Sequence, residues 1–342
     1  MKRPRGSILI AVMFVLVVLS LLVSALSYRV ALGQRTARQE AVMIRLEALG
    51  RSAVRVALAD LDADDNGFDH PAEAWSDHEA LGARLGWAEL QVASGEAGPA
   101  FEVRYRVIDE EGKRHLDYAS SEALRLAGLS AAQVDALLDW QDGDDVGRAE
   151  GAEGSFYAGR VSAHRAKNAG VELVEELRLM RHMTAGDFWA RRGGGEELAG
   201  GRPGGSGGRF GDGESGLAVS WDELLTTLGD GRVNLNTAPR EVLSMLPVRA
   251  EAVEQILAFR AHDRDALGPL EGHVFRLAED LEQLNGLTGP EAQILADLGK
   301  FGSETFRIEV NSRHRASGLE HRLQAVVRRS DSSSGIVQWL VD

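Results

Sequence analysis

The chain has 342 residues and a formal charge of −14, and its charge is unevenly distributed along the sequence. Residues 1–60 carry nine Lys and Arg against three acids, so the remainder has a charge of −20. An acidic body of this kind does not bind nucleic acid by charge, and it suits divalent cations. The sequence contains no cysteine, which excludes disulfides and thiolate sites. The residues after position 60 are enough for one large or two ordinary domains.

The N-terminal segment starts with the basic leader MKRPRG, and an uncharged apolar run follows over residues 7–28. This run is long enough to span a bilayer, which takes about 20 residues. It exceeds the apolar core of about 7–15 residues in a secretory signal peptide. The basic leader indicates that residues 1–6 stay in the cytoplasm and that the rest of the chain faces out. The pattern predicts a type IV prepilin-like leader cut between Gly6 and Ser7. The alternative is a signal peptide cut after Val23-Ser24-Ala25.

The residues behind the apolar run predict a continuation of the same helix. From Ser7 to Leu61 there is no proline, and the glycines are Gly33 and Gly50. Good helix formers follow Tyr28, with apolar residues spaced by three, four and seven. We predict one helix over residues 7–61, roughly 80 Å long at 1.5 Å per residue. Its first half lies in the membrane and its second half projects from it.

Strand patterns occur at both ends of the remaining chain. Residues 101–109 alternate between apolar and charged side chains. Similar runs occupy residues 305–311, 322–328 and 335–341, and a shorter one covers Trp87–Ala93. Helical patterns fill the space between. The chain is therefore predicted to be α+β, with an α/β domain (residues 62–111 plus 301–342) interrupted by an all-α insert (residues 112–300).

The insert contains an internal repeat. Residues 115–140 align without gaps to residues 234–259, and a weaker copy runs over residues 277–298. Each copy predicts a short capped helix, a turn and a second helix, so the insert is predicted to consist of helix-hairpin-helix-like units. Such units can hold DNA through a glycine turn. Only two of the three turns contain glycine and the domain is acidic, which favours a packing role. Residues 193–216 are glycine-rich and predict a flexible loop.

The loop after the first helix has the spacing of an EF-hand. Gly67 stands at position six of such a loop, where the chain turns sharply. Oxygen-bearing residues stand at positions one, three, five and twelve: Asp62, Asp64, Asn66 and Glu73. The loop departs from the pattern at Asp69, where an apolar residue is usual, and at Pro71. We predict calcium here, and the alternative is a solvated acidic loop.

A second acidic segment starts at the end of the first repeat with Asp139, and Asp142, Asp144, Asp145, Glu150 and Glu153 follow. The predicted ligands among them are Asp142, Asp144, Asp145 and Glu153. These carboxylates repel one another unless they are neutralised or solvated. Calcium is the natural counter-ion, and a charged loop is the alternative. No combination of nucleophile, base and acid is evident along the chain, so we do not expect an enzyme.

Four segments together resemble one family, the minor pseudopilin K of the type II secretion system. They are the leader RG/SILIAVMFVLVVLSLL, the pair LLDWQDGDD and GAEGSFY, AKNAGVELVEELRLM at residues 166–180, and GRVNLNTAPREVLSMLP at residues 231–247. The last segment is the most specific. In it Asn236 or Thr237 is predicted to cap a helix that begins with Pro239.

The resemblance implies cleavage and N-methylation by a prepilin peptidase between Gly6 and Ser7. It also implies a single-pass protein of the inner membrane, with most of the chain in the periplasm. The implied fold is a pseudopilin α/β domain with an antiparallel sheet and a large inserted α-domain. The implied partners are minor pseudopilins I and J and other pseudopilins, and not nucleic acid. Together these subunits cap a pseudopilus that exports folded proteins across the outer membrane.

Two further implications concern single positions. Some family members bind calcium in the α-domain, and Asp142, Asp144, Asp145 and Glu153 fall where such ligands would be. Most pilin-like subunits carry Glu at mature position five, whereas this chain has Ala11. That Glu pairs with the amine of the subunit above, and an unpaired acid there would be costly. A tip subunit has no such neighbour, so Ala11 fits a tip. The alternatives are a signal-anchored exported calcium-binding protein and a DNA-uptake pseudopilin.

Overall fold

A computed structural model describes residues 7–71, 73, 75–76, 88–89, 100–184, 220–261, 274–330 and 333–341. The predicted leader with Gly6 and the predicted glycine-rich loop over residues 193–216 lie outside the described residues. The predicted strand Trp87–Ala93 is described only at Ala88–Glu89, where it is a strand.

The first helix, α1, runs from Ser7 to Asp62 over 56 residues and confirms the prediction of one long helix. Its large apolar side chains between Leu9 and Tyr28 are 37–71% exposed. The helix is long and apolar enough to cross a membrane by length and composition, with a window of mean hydropathy 3.1. Apolar surface of this extent in water is unfavourable, so this half of α1 favours an apolar environment.

The second half of α1 packs on a five-stranded sheet. The strands are β1 (Ala88–Glu89), β2 (Phe101–Asp109), β7 (Thr305–His314), β8 (Glu320–Ser330) and β9 (Ser333–Val341), all paired antiparallel in this order. The predicted strands after residue 100 are thereby confirmed.

Small residues on α1 allow the helix to lie close to the sheet. Ala53 and Ala57 are fully buried in a core with Val103, Ile308 and Ala325, each contributed by a different strand. This core is built from alternating strand positions, because every second side chain of a strand faces the helix.

The chain between β2 and β7 forms a mostly helical body. Its helices are α2 (Ser121–Leu126), α3 (Ala131–Gln141), α4 (Gly154–Ala158), α5 (Trp221–Leu224), α6 (Arg240–Leu243), α7 (Ala250–Ala261) and α8 (Gly289–Leu298). Two short parallel strand pairs join distant parts of it: β3 (Arg114–His115) with β4 (Leu225–Thr226), and β5 (Val233–Asn234) with β6 (Gly299–Lys300). A hydrophobic cluster separate from that of the sheet fills this body. The chain is thus α+β, with an antiparallel sheet and a helical body.

The motif NLNTAP does not cap a helix, so the predicted role of Asn236 or Thr237 is wrong. Helix α6 begins at Arg240, with Pro239 as its N-cap residue and no side-chain capping bond. Asn236 instead receives a hydrogen bond from the backbone N of Phe275 at 2.9 Å and donates one to its carbonyl O at 2.8 Å. Buried amides are stable where their donors and acceptors are satisfied, and a distant segment satisfies them here.

The same motif joins the two places where the chain leaves and re-enters the sheet. We call Asp109, Asn234, Thr237 and Ser303 the crossing cluster. Asn234 Nδ2 donates to Asp109 Oδ2 at 3.0 Å and to Ser303 Oγ at 2.9 Å. The hydroxyls of Thr237 and Ser303 donate to the same Asp109 oxygen at 2.5 and 2.8 Å. Burial raises the pKa of Asp109, and these hydroxyl donors oppose the rise.

Buried ion pairs reinforce this connection. Arg307 on β7 donates through Nη1 to Asp222 Oδ1 of α5 at 2.9 Å, and its Nε lies 2.9 Å from Glu110 Oε1. Lys113 Nζ donates to the same Glu110 oxygen at 2.6 Å. The ion pairs therefore connect the sheet directly to the helical body.

These pairs predict acid sensitivity. Burial by itself would raise the pKa of Asp222, but Lys113 and Arg307 outweigh it and hold the pKa below 3.8. The native state therefore binds protons less readily than the unfolded state. Stabilisation from Asp222 is complete above the unfolded pKa and is lost as the pH falls through the lower native value. For the full-length chain in detergent, Asp222→Asn should lower the urea midpoint at pH 7. The difference between the midpoints of the variant and the native chain should become smaller toward pH 3. Glu122→Gln, at a side chain 71% exposed, is the control and should change neither. If the urea midpoint of Asp222→Asn were lowered equally at every pH, Asp222 would not be a source of acid sensitivity.

Candidate functional site

The acidic loop after α1 is closed by its own hydrogen bonds. Asn66 Nδ2 donates to Glu73 Oε1 at 2.5 Å, and Glu73 Oε2 receives bonds from the backbone N of His70 and from Trp75 Nε1. Asp62 receives a bond from the backbone N of Ser334 at 2.6 Å. The predicted ligand set is therefore occupied mainly by partners within the protein.

An arginine supplies the positive charge that this loop needs. Arg329 donates to Asp64 Oδ2 at 3.1 Å and also pairs with Asp69. Oxygens of Asp64, Asp69 and Glu73 lie within 4.8 Å of one another, so Asp69 joins the group although it was not predicted. Burial raises the pKa of Asp69 to about 7, although Arg329 opposes the rise. A guanidinium and an amide N–H already contact these residues, and calcium at Asp62, Asp64, Asn66 and Glu73 stays a prediction.

The second acidic segment is held between two helices. Asp142 is the C-cap residue of α3, and its N–H bonds to the carbonyl of Leu138. Glu153 is the N-cap residue of α4, but its carboxylate makes no capping bond. The turn between them contains Asp144, whose Oδ1 receives a bond from the backbone N of Val146 at 2.8 Å.

These positions bring three of the four predicted acids together. Oxygens of Asp142, Asp144 and Glu153 lie within 4.8 Å of one another. Glu153 is only 7% exposed, and both of its carboxylate oxygens are buried without a hydrogen-bond partner among the described residues. Asp142 Oδ1 is also buried without a partner there. Asp145 lies outside this trio, but its charge reaches Glu153.

A buried carboxylate without donors is costly, and the pKa of Glu153 reflects this. Burial raises it, and the charges of Asp139, Asp142, Asp144 and Asp145 add to the rise. A cation bound among these oxygens would remove both costs. Hard oxygen donors of this kind are the ligands that calcium prefers, so the residues fit a calcium ion. We call Asp142, Asp144 and Glu153 the acid trio.

Three residues beside the acid trio were not predicted as site residues. Asp139 is fully buried on α3 and receives Arg148 Nη1 at 2.6 Å. Arg148 Nη1 also donates to Asp142 Oδ2 at 2.6 Å. Asn168 has a positive φ of 48°, donates from Nδ2 to the carbonyl of Asp144 at 3.3 Å, and keeps Oδ1 buried without a partner among the described residues. Asn168 lies in the AKNAG segment, and the resemblance of that segment to the family was the sequence signal that could have identified it.

Comparison with known proteins gives consistent matches. A family model for type II secretion system protein K matches residues 119–190, which include the acid trio. Type II secretion system protein K of Klebsiella pneumoniae is 29% identical over 198 residues, which cover 54% of this chain and 59% of that protein. The crystal structure of the GspK-GspI-GspJ complex from enterotoxigenic Escherichia coli contains a chain of similar fold. The similarity has a TM-score of 0.62 at 14% identity, over 90% of this chain and 99% of that one.

These matches show that the chain is similar to type II secretion system protein K over part of its length. The aligned region spans somewhat under two thirds of the K. pneumoniae relative. The low identity to the solved chain supports a shared fold. Type II secretion protein K is a secretion family and is not known as an enzyme. The similarity to protein K and the apolar half of α1 together indicate a membrane-anchored protein.

A glycine allows the close packing beside the acid trio. A Cβ placed on Gly151 would lie 1.8 Å from Asp139 Oδ2, whereas one on Gly154 would meet nothing within 4 Å. Asp139 is fully buried and cannot move aside. Gly151→Ala should therefore destabilise the protein by about 1–3 kcal/mol, measured by urea unfolding of the full chain in detergent. Gly154→Ala is the matched control and should stay within about 0.5 kcal/mol of the native chain. Equal effects of the two variants would contradict the packing argument.

Proposed function

We propose that this chain is a minor pseudopilin of the type II secretion system, at the tip of a periplasmic pseudopilus that supports export of folded proteins across the outer membrane. The observation that carries the proposal is the similarity to type II secretion system protein K together with a similar fold over 90% of the chain. The exposed apolar half of α1 supports it, because a pseudopilus subunit needs a membrane stem.

The proposed partners are minor pseudopilins I and J, since the solved chain of similar fold comes from a complex with GspI and GspJ. The proposal also includes other pseudopilins, anchorage in the inner membrane, the bulk of the chain in the periplasm, and processing by prepilin peptidase between Gly6 and Ser7. The proposed division is an α/β domain of residues 62–111 plus 301–342 and an inserted α-domain of residues 112–300. Two separate hydrophobic cores support this division.

The mature N-terminus tests processing. The full chain would be co-expressed with a prepilin peptidase, purified from membranes and analysed by mass spectrometry. A start at methylated Ser7 is expected. An intact Met1 or a start at Leu26 would reject the pseudopilin and favour a signal-anchored exported protein. Gly6→Leu is the control, because it should block the cut.

Assembly tests the partners. Co-expressed minor pseudopilins I and J should co-purify with the full chain in detergent and elute with it as one complex. Their separation during size exclusion would overturn this part of the proposal.

A DNA-uptake pseudopilin is the rival function, since the helical body is proposed to be built from helix-hairpin-helix-like units. The pairs α2–α3 and α6–α7 support the repeat. The acidic charge opposes DNA binding. Measurable affinity of the full chain for duplex DNA at low salt would favour the rival.

We further propose that the acid trio, with Asp145 nearby and Asn168 Oδ1 as a neutral oxygen, holds calcium. Calcium, when bound, would supply the positive charge that Glu153 lacks. The carboxylate of Glu153, which has no hydrogen-bond partner among the described residues, is the observation that carries this proposal. Ligand binding stabilises a protein by about 2.7 kcal/mol at roughly 100 times Kd. The thermal midpoint of the full chain should therefore rise with calcium and fall with chelator.

Glu153→Gln separates a ligand role from a structural one. Because the native pKa of Glu153 is raised, its ionised form destabilises the calcium-free fold at neutral pH. The variant should be at least as stable as the native chain in chelator and should lose the calcium response. Glu150→Gln, at a side chain 58% exposed, is the matched control and should keep the response. A full calcium response in Glu153→Gln would contradict the proposal.

A further inference from the structure

The positively charged guanidinium of Arg148 contacts one carboxylate of the proposed calcium site. Its Nη1 lies 2.6 Å from Asp139 Oδ1 and 2.6 Å from Asp142 Oδ2. The two carboxylates thus share one guanidinium nitrogen, although only Asp142 belongs to the acid trio.

The two contacts of Arg148 differ in how firmly they are held. Asp139 is 0% exposed and also receives the backbone N of Arg148, at 3.0 and 3.2 Å to its two oxygens. Removing a cation from a buried carboxylate is costly, so the pair with Asp139 persists. Asp142 is 27% exposed, and Arg148 itself is 38% exposed. Water screens this second contact and can replace it at little cost.

Calcium and Arg148 require the same carboxylate. Within the described part of the chain, Asp142 Oδ1 is buried without a partner, while Oδ2 is bound by the guanidinium. A calcium ion bound among Asp142, Asp144 and Glu153 would lie beside this fixed positive charge and would be repelled by it.

Resting on the proposed calcium site, we propose that Arg148 is a built-in competitor for calcium, which neutralises Asp142 in the calcium-free protein and releases it when calcium binds. Arg148 stays paired with Asp139 in both states, so the exchange needs only a side-chain movement. The consequence is a weakened affinity, which restricts occupancy to surroundings rich in calcium. By linkage, calcium weakens the Arg148–Asp142 contact by the same factor as that contact weakens calcium.

Calcium titration of the full chain in detergent by calorimetry tests the proposal. Arg148→Gln removes the competing charge and should lower the calcium Kd by about tenfold or more. Arg148→Lys keeps the charge and should bind calcium within about threefold of the native chain. Arg181→Gln is the matched control. Arg181 donates to the carbonyl of Gly151 at 2.7 Å, next to the site but without a carboxylate contact, and its variant should have nearly the native Kd.

The outcomes separate this inference from the calcium proposal. An unchanged or weakened affinity in Arg148→Gln, with calcium binding retained in the native chain, overturns the competitor and assigns Arg148 a purely structural role. Binding in neither chain rejects the calcium site itself. Binding in Arg148→Gln alone supports a competitor strong enough to block the site.

A measurement on the native chain covers the case in which Arg148→Gln does not fold. Labelling of arginine by phenylglyoxal, read by mass spectrometry, should increase at Arg148 on addition of calcium, because one of its two carboxylate contacts is released. Arg125, which pairs with Glu122 on α2, should not change. Unchanged labelling of Arg148 at saturating calcium would overturn the proposal.

Discussion

Replacing Arg307 by methionine should lower the free energy of unfolding by about 3–5 kcal/mol, the usual cost of breaking a buried ion pair. Arg307 is 9% exposed and faces Glu110 and Asp222 across the boundary between the sheet and the helical body. Without it, Asp222 loses both guanidinium bonds, and Glu110 keeps Lys113 and the hydroxyl of Thr226. Urea unfolding of the full chain in detergent, followed by tryptophan fluorescence, measures the loss.

Arg315 provides the control for Arg307. It follows the same strand and pairs with Glu102, but its side chain is 52% exposed. Exposed ion pairs contribute about 0–1 kcal/mol, so Arg315→Met should cost about 1 kcal/mol or less. If Arg307→Met cost no more than Arg315→Met, the buried pairs would not hold the two parts of the molecule together.

Replacing Asn234 by leucine should cost about 2–4 kcal/mol, because unsatisfied buried polar groups each cost about 1–3 kcal/mol. Asn234 is fully buried and bonds to two other members of the crossing cluster. The substitution keeps the volume but removes donors to Asp109 and Ser303, and it removes the acceptor for the backbone N of Asn236. The same urea experiment measures the loss.

Asn311→Leu is the matched control for Asn234. Asn311 lies on β7, and its Oδ1 is buried without a partner among the described residues. Removing an unsatisfied acceptor should change stability by less than about 1 kcal/mol. Comparable losses in the two leucine variants would show that the hydrogen bonds of the crossing cluster do not account for the loss.

Much of the fold could be predicted from local patterns. Helix α1 follows from an apolar run without proline, and β2 follows from the alternation of Phe101, Val103, Tyr105 and Val107. Both patterns are visible in short stretches of sequence. Tertiary packing then stabilises the elements that they predict.

The local pattern does not contain the contacts between residues far apart in sequence. The spacing of Asp64, Asn66 and Glu73 fits a calcium loop, but Arg329 approaches from 265 positions away and supplies the charge. Asn236 stands where a helix cap is expected, but it bonds to Phe275 instead. A short motif cannot reveal which distant segment will reach it, and that segment decides its role.

The acid trio could be predicted in part from the sequence. The sequence brings Asp142 and Asp144 close together, and the fold adds Glu153 by starting α4 beside them. Arg148 lies in the same segment but was not predicted to matter, because its pairing depends on the complete burial of Asp139. Burial of a single carboxylate is a tertiary property that the local pattern does not contain.

The crossing cluster also determines how this architecture can vary. Asp109 ends β2 and pairs with Phe306 of β7, so the chain leaves and rejoins the sheet between neighbouring antiparallel strands. Antiparallel neighbours need only a turn of about two to five residues to connect them. The helical body is therefore inserted between two strands that are neighbours in the sheet. Its size can change without altering the register of the sheet or the length of α1.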